Sequence, residues 1–359
     1  MSRFLNARYQ TLEVYTPGEQ PRDKAYIKLN TNESPYPPAP QVVASVGKGE
    51  LEDLRLYSDP TSKPLVEKLA ETYGVSPENV FVSNGSDDIL NFAFMAFSGQ
   101  PAKAMFPDVT YGFYQVYADL HQVEAKICPL SEDFSVDYKQ YLDRDCMIVL
   151  ANPNAQVGRA LPLWQMEEII SSNPDHVVLV DEAYVDFGAE SCVPLVKKYP
   201  NLLVVQTFSK SRSLAGARLG FAIGSAELID DLNRIKFSTN PYNINRLTMV
   251  AGVAALETSD YYQENCQKII QTRAYTTEAL EKLGFTVIPS QANFVFASHP
   301  KMDGEALYLA LKERGILVRH FSAPRMRDYN RITIGSQAQM EQLIRTLSEL
   351  LEVQTDENC

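Results

Sequence analysis

From about residue 62 the chain alternates between two hydrophobic rhythms. Leu65, Leu69 and Tyr73 recur at helical spacing. Val80-Phe81-Val82 is instead a short continuous apolar run. It leads into the polar turn Ser83-Asn84-Gly85-Ser86-Asp87 and then a helical stretch carrying Ile89, Leu90, Phe92, Ala93 and Phe97. Further runs of the same kind are Ala104–Phe106, Met147–Leu150, Val177–Val180, Leu202–Val205 and Leu219–Ile223. Continuous apolar runs predict strands buried on both faces, and helices between them predict a sheet covered on both sides. Residues 48–240 therefore read as one large α/β domain.

The two flanks read differently. Residues 1–47 are polar and proline-rich, with Pro35, Pro37, Pro38 and Pro40 crowded together. They predict an extended arm with one short strand at Tyr26–Asn30, part of a smaller domain. Past Pro241, helical patterns cover 244–258 and 260–283. Strand patterns follow at Phe285–Ile288, Asn293–Phe296, Ile316–Val318 and Arg331–Ile334, with helices at 304–314 and 336–351. Residues 241–359 thus read as a small α+β domain whose tail, Thr355–Cys359, is expected to fray.

Charge and composition narrow the function. The 33 Lys and Arg against 45 Asp and Glu give a net charge of −12, which disfavours nucleic-acid binding by phosphate neutralisation. Any anionic substrate must be caught by local arginines. No apolar run approaches the ~20 residues of a membrane span, and Met1–Asn6 opens no signal-peptide pattern. Five widely spaced cysteines without a CxxC pair, and four histidines without ligand spacing, predict neither a disulfide framework nor a metal site and fit a reducing cytoplasm.

The residues that can carry chemistry gather at predicted strand ends. Thr207-Phe208-Ser209-Lys210 closes one run. A lysine there is poorly solvated, and its amine is suited to attack an aldehyde. Arg218 follows a Gly/Ala-rich connection and can join Ser209 around a phosphate. Asp181-Glu182-Ala183-Tyr184 closes another run. An acid there faces the crevice where α/β sheets bind ligands and can pair with a protonated ring nitrogen, while Tyr184 can donate to a ring oxygen. The turn Gly85-Ser86-Asp87 offers helix N-terminal N–H groups to an anion. Tyr111 can stack on a flat cofactor, and the turn Asn152–Gly158 can present an amide. Taken singly, each has an ordinary alternative: a strand-end ion pair, a helix cap, a core aromatic or simple turn chemistry.

Together, in this order, these motifs resemble the fold-type I pyridoxal-phosphate aminotransferases. Lys28–Pro35, Tyr57-Ser58-Asp59-Pro60, Pro241–Asn245 and Arg331–Gly335 extend the resemblance over almost the whole chain, towards the histidinol-phosphate branch. It implies an aspartate aminotransferase-like fold, whose large domain has a mainly parallel seven-stranded sheet. It also implies pyridoxal phosphate as cofactor, L-histidinol phosphate as amino donor and 2-oxoglutarate as acceptor, and a homodimer with shared sites. An aromatic amino-acid aminotransferase and a threonine-phosphate decarboxylase remain open on the same scaffold.

By position, the resemblance makes Lys210 the amine that joins the cofactor aldehyde and shuttles a proton. Asp181 is the partner of the ring nitrogen and Tyr184 that of the ring oxygen. Gly85, Ser86, Asp87, Ser209 and Arg218 form the phosphate cradle, Tyr111 is the stacking ring, and Tyr57 reaches the neighbouring subunit's cofactor. It assigns Arg331 to a carboxylate, and Arg319, Tyr15, Asn32 and Tyr242 to the substrate cavity. One departure stands out. Where the family has an asparagine in the amide turn this chain has Ala155, and Asn154, one residue earlier, is the candidate replacement. A sensor fused to a DNA-binding helix-turn-helix finds no room before Lys28, and the strand-linked G-x-G-x-x-G of a nicotinamide dehydrogenase is missing.

Overall fold

A computed structural model describes residues 2–13 and 15–357. Its main feature is a seven-stranded sheet. The strands run, side by side, Val80–Ser83, Gly220–Gly224, Leu202–Thr207, Val178–Asp181, Met147–Ala151, Lys103–Pro107 and Glu124–Cys128. Gly220–Gly224 alone runs opposite to the other six strands. The mainly parallel seven-stranded sheet expected from the sequence is therefore present. Six of its strands coincide with the apolar runs. The seventh, Glu124–Cys128, lies at the edge with only Cys128 buried, so it lacks the continuous apolar signature of a covered strand.

Strand alternation divides the core into two layers. Met147, Val149 and Ala151 face one apolar cluster, and Ile148 and Leu150 face the other. Leu179 turns to the first, Val178 and Val180 to the second. Both faces are thus filled, and the polar residues at the strand ends are left to open into a crevice.

A four-stranded antiparallel sheet is built from the C-terminal part, in the order Arg319–His320, Tyr329–Thr333, Phe294–Ser298, Thr286–Ile288. The long helices Arg246–Glu257 and Ser259–Lys282 fall close to the expected spans. The last helix, Gln337–Glu357, runs beyond the expected end at 351 and through part of the tail expected to fray; Asn358 and Cys359 lie outside the described residues. The N-terminal strand is shorter than expected, Ile27–Lys28, and pairs in parallel with Ile316–Leu317. Leu29 nevertheless continues the ladder, donating to the Leu317 carbonyl and accepting from Thr333. These bonds carry Asn30–Asn32 across to the crevice. Cys128, Cys146, Cys192 and Cys266 are free and buried, and among the described residues there is no metal-ligating cluster and no helix long and apolar enough to cross a membrane.

Candidate active site

The ends of the central strands converge on a small inner cavity of about 110 Å³. It is lined by Ser86, Asp87, Tyr111, Ala155, Asp181, Ala183, Tyr184, Thr207, Ser209, Lys210 and Arg218. Asp181 is the last residue of its strand and is buried. Its carboxylate accepts from the Tyr114 hydroxyl at 2.8 Å and from the Ala183 N–H at 3.2 Å. Burial pushes its pKa up to about 6, against the opposing pull of those two donors. Lys210 reaches the same cavity from the strand Leu202–Thr207, its Nζ donating to the Thr31 carbonyl at 3.0 Å and lying 5.8 Å from the Tyr184 ring centre.

One end of the cavity is a phosphate-sized cradle. Gly85 has φ +86° and ψ 166°, a backbone conformation that only glycine takes without strain, and a Cβ there would also press on the Arg218 guanidinium at 2.7 Å. A Cβ on Gly220 would lie 2.4 Å from the Ser86 nitrogen, so this glycine lets the helix Ser86–Phe97 start against the sheet. Arg218 pairs with Asp87 at 2.8 Å, and Tyr111 donates to the other Asp87 oxygen at 2.7 Å. Ser209 Oγ lies 3.5 Å from Arg218 Nη1. A helix N-terminus, a hydroxyl and a guanidinium therefore surround one spot, a donor set suited to a phosphate.

An outer chamber of about 490 Å³ shares Tyr111, Tyr184 and Lys210 with the inner cavity and adds Tyr15, Asn32, Arg319 and Arg331 among its walls. Arg331 Nη1 donates to the Ala155 carbonyl at 2.9 Å and to Gln156 Oε1 at 3.1 Å, while its Nε, buried, has no partner. Burial lowers the Arg331 pKa. Arg319 holds the Thr16 and Pro17 carbonyls at 2.9 and 3.1 Å. Tyr15 stacks on Phe113 at 4.2 Å, so the N-terminal arm lies along the chamber.

Three expected residues stand apart from this cluster. Asn154 uses its amide on backbone groups: Nδ2 donates to the Val109 carbonyl of a neighbouring loop at 2.8 Å, and Oδ1 accepts from the Gln156 and Val157 N–H groups of its own turn at 2.9 and 3.1 Å. Ala155, not Asn154, lines the cavity. The amide nearest the expected position comes instead from Asn32, whose Nδ2 donates to the Tyr184 hydroxyl at 3.0 Å. Tyr57 and Tyr242 lie outside the protomer's own cleft. They stack on one another at 4.6 Å, with Tyr57 81% exposed. Tyr114 was not anticipated from the sequence. It follows Tyr111 by three residues, and a buried aromatic on a helix reads as core.

The cavity suits the implied cofactor. Its walls carry the aromatic ring of Tyr111, the buried acid Asp181 and the amine of Lys210, together with the anion-binding donors Ser86, Ser209 and Arg218.

The sequence profile described as aminotransferase class I and II matches residues 24–347. A protein named histidinol-phosphate aminotransferase from Brachyspira hyodysenteriae is 48% identical over 98% of this chain and all of its own length. One of the same name from a Marinomonas species is 51% identical over the same shares. The crystal structure of histidinol-phosphate aminotransferase from Sinorhizobium meliloti in complex with pyridoxal-5'-phosphate superposes with a TM-score of 0.86. That match is at 24% identity and covers 98% of this chain and 99% of that one.

Proposed function

The chain belongs to the class I and II aminotransferases, and we propose that it moves an amino group between L-histidinol phosphate and 2-oxoglutarate, with pyridoxal phosphate as cofactor. One observation carries the reading: the Lys210 amine and the buried Asp181 carboxylate line the same inner cavity, with Tyr184 on its wall. The cofactor, when bound, supplies the electron sink for the electrons of a broken Cα–H bond.

This chain's residues supply the rest. Lys210 would hold the cofactor aldehyde and would be the base that takes and returns the Cα proton. Asp181, buried at its strand end, would pair with the ring nitrogen and keep it protonated. Tyr184, backed by Asn32, holds the ring oxygen. The backbone N–H groups of Ser86 and Asp87, with the side chains of Ser209 and Arg218, would hold the phosphate, and Tyr111 would cover the ring. Arg331 and Arg319, with Tyr15, orient the substrate anions. The phosphate of one substrate and the carboxylates of the other take turns on these arginines, so the two half-reactions share one chamber.

The exposed Tyr57–Tyr242 pair fits a homodimer in which each protomer completes its partner's site, and a cytoplasmic enzyme of amino-acid biosynthesis fits the whole. The test is a steady-state assay with L-histidinol phosphate and 2-oxoglutarate. Parallel double-reciprocal lines and glutamate formation are expected. Turnover of phenylalanine or decarboxylation of threonine phosphate without turnover of histidinol phosphate would overturn the substrate assignment.

A further inference from the structure

Behind the cleft lies a second set of polar side chains that the reaction does not use. Asp181 and Tyr184 face the cavity, whereas Glu182 and Asp186 do not line it. Lys210 faces the cavity, and the next two residues, Ser211 and Arg212, point away from it into a separate cavity of about 460 Å³ that Tyr73 and Asp186 also line.

These groups form a continuous chain. Ser211 Oγ donates to Asp186, and Arg212 Nη1 lies 3.6 Å from the same Asp186 oxygen. Arg212 Nη2 donates to the Tyr73 hydroxyl at 3.1 Å, and Tyr73 donates to Gln206 at 2.7 Å. Gln206 donates to Glu182 at 2.8 Å, and Glu182 also accepts from Ser191 Oγ and the Cys192 N–H, both at 2.6 Å. The chain thus begins one residue after Lys210 and ends one residue after Asp181. The Arg212 guanidinium lies 5.1 Å from the Phe208 ring and 5.9 Å from the Phe221 ring. A charge held among aromatics costs desolvation, and apolar side chains of like size would pack there at no such cost. Its benefit therefore has to be sought in what it fixes.

We propose that Arg212, Tyr73 and Glu182 are positioning residues that set where Lys210 stands relative to Asp181. Lys210 sits in the connection between two strands, where the backbone has no ladder to hold it. The polar chain supplies that hold by tying the lysine loop to the strand end that carries the acid. The proposal rests on Lys210 and Asp181 being the two grips on the cofactor.

The test uses the full-length enzyme with pyridoxal phosphate, comparing Arg212→Met, Arg212→Lys and Tyr73→Phe. Two quantities are read: the cofactor dissociation constant and the pH midpoint of the visible band of the lysine-bound cofactor. Arg212→Met is expected to weaken cofactor binding by about tenfold and to move the midpoint. Arg212→Lys keeps the charge and should restore part of both. Tyr73→Phe, which removes one hydroxyl and keeps the ring packing, should move both quantities in the same direction by a smaller amount. Arg212→Met failing to fold would leave Tyr73→Phe to decide. Variants that lower the melting temperature yet keep the parental midpoint and affinity would show a merely structural role and overturn the proposal. A parent enzyme with no borohydride-sensitive band would instead overturn the reading of Lys210.

Discussion

The Asn32 side-chain amide donates to the Tyr184 hydroxyl at 3.0 Å, joining residues 152 positions apart in sequence. Its orientation is fixed. Thr333 Oγ1 donates to Asn32 Oδ1 at 3.0 Å and accepts from the Asn32 backbone N–H at 2.9 Å. The amide can therefore present only its nitrogen to Tyr184. With its oxygen already accepting, the tyrosine has its own proton to donate, as its proposed contact with the cofactor's ring oxygen requires.

Asn32→Ala should lower kcat by about tenfold or more and shift the pH midpoint of the bound cofactor's visible band, because a hydrogen bond to a charged or charge-developing group carries ~1.5–3 kcal/mol. Asn154→Ala should behave differently. It strips partners from the Val109 carbonyl of a neighbouring loop and from two N–H groups of its own turn, so its main effect should be a melting temperature several degrees lower, with the midpoint unchanged. Calorimetry and a spectral titration of both variants make the comparison.

Tyr114→Phe tests the support of Asp181. Removing the hydroxyl leaves the buried carboxylate with one fewer donor, and its affinity for a proton rises. The variant should bind pyridoxal phosphate about tenfold more weakly, measured by equilibrium dialysis, with unchanged affinity for the phosphate-free ring only if the hydroxyl has no electrostatic role.

The apo protein should lose stability as pH rises from about 5 to about 7. Burial raises Asp181 from 3.8 to about 6 and Glu182 from 4.5 to about 7. The folded chain holds these protons where the unfolded chain has released them. The stability they contribute is full below the unfolded values and is lost as pH climbs through the folded ones. Glu19 and Glu33 are held low by Lys312 and Lys28, against the desolvation that burial brings, and give the opposite slope, but below their ordinary value of 4.5. Urea melts at several pH values should show the decline, and Glu182→Gln should flatten its upper part.

Gly220→Ala should destabilise the fold by ~1–3 kcal/mol, since the added methyl would meet the backbone of Gly85 and Ser86 at 2.4–3.0 Å. The cradle can relieve that contact only by moving, so cofactor phosphate affinity should fall in step with the melting temperature.

A mixed dimer tests the shared site. Tyr57 is exposed in the protomer, so Tyr57→Ala should leave folding intact. Combined with Lys210→Ala subunits, the hybrid should recover about a quarter of parental activity after random reassociation, since one of its two sites is whole and half of the dimers are hybrids. Two defective parents that recover nothing would place Tyr57 in its own protomer's site, and a fully active Tyr57→Ala parent would place it in none.

What the sequence made legible follows from how locally each feature is encoded. Buried parallel strands are continuous apolar runs, so six of seven strands, and the places of Asp181 and Lys210 at or just beyond their ends, could be read directly. Glu124–Cys128 could not, because an edge strand with one buried residue carries no such run. Tyr114 was hidden because its hydroxyl's partner lies 67 residues away, and nothing in a helical aromatic announces a carboxylate above it. The replacement of the turn amide was misplaced for the same reason. Asn154 is adjacent in sequence, yet its amide is needed by the turn, while Asn32 arrives from the other end of the fold through the Leu29 ladder. The chain from Ser211 to Glu182 joins four separate segments, and only the folded structure brings them into line.

The most direct measurement is borohydride reduction of the enzyme incubated with pyridoxal phosphate, followed by proteolysis and peptide mass mapping. One peptide, containing Lys210, is expected to carry the reduced cofactor at one equivalent per chain. Labelling spread over surface lysines, or confined to another residue such as the buried Lys236, would contradict the account at its root.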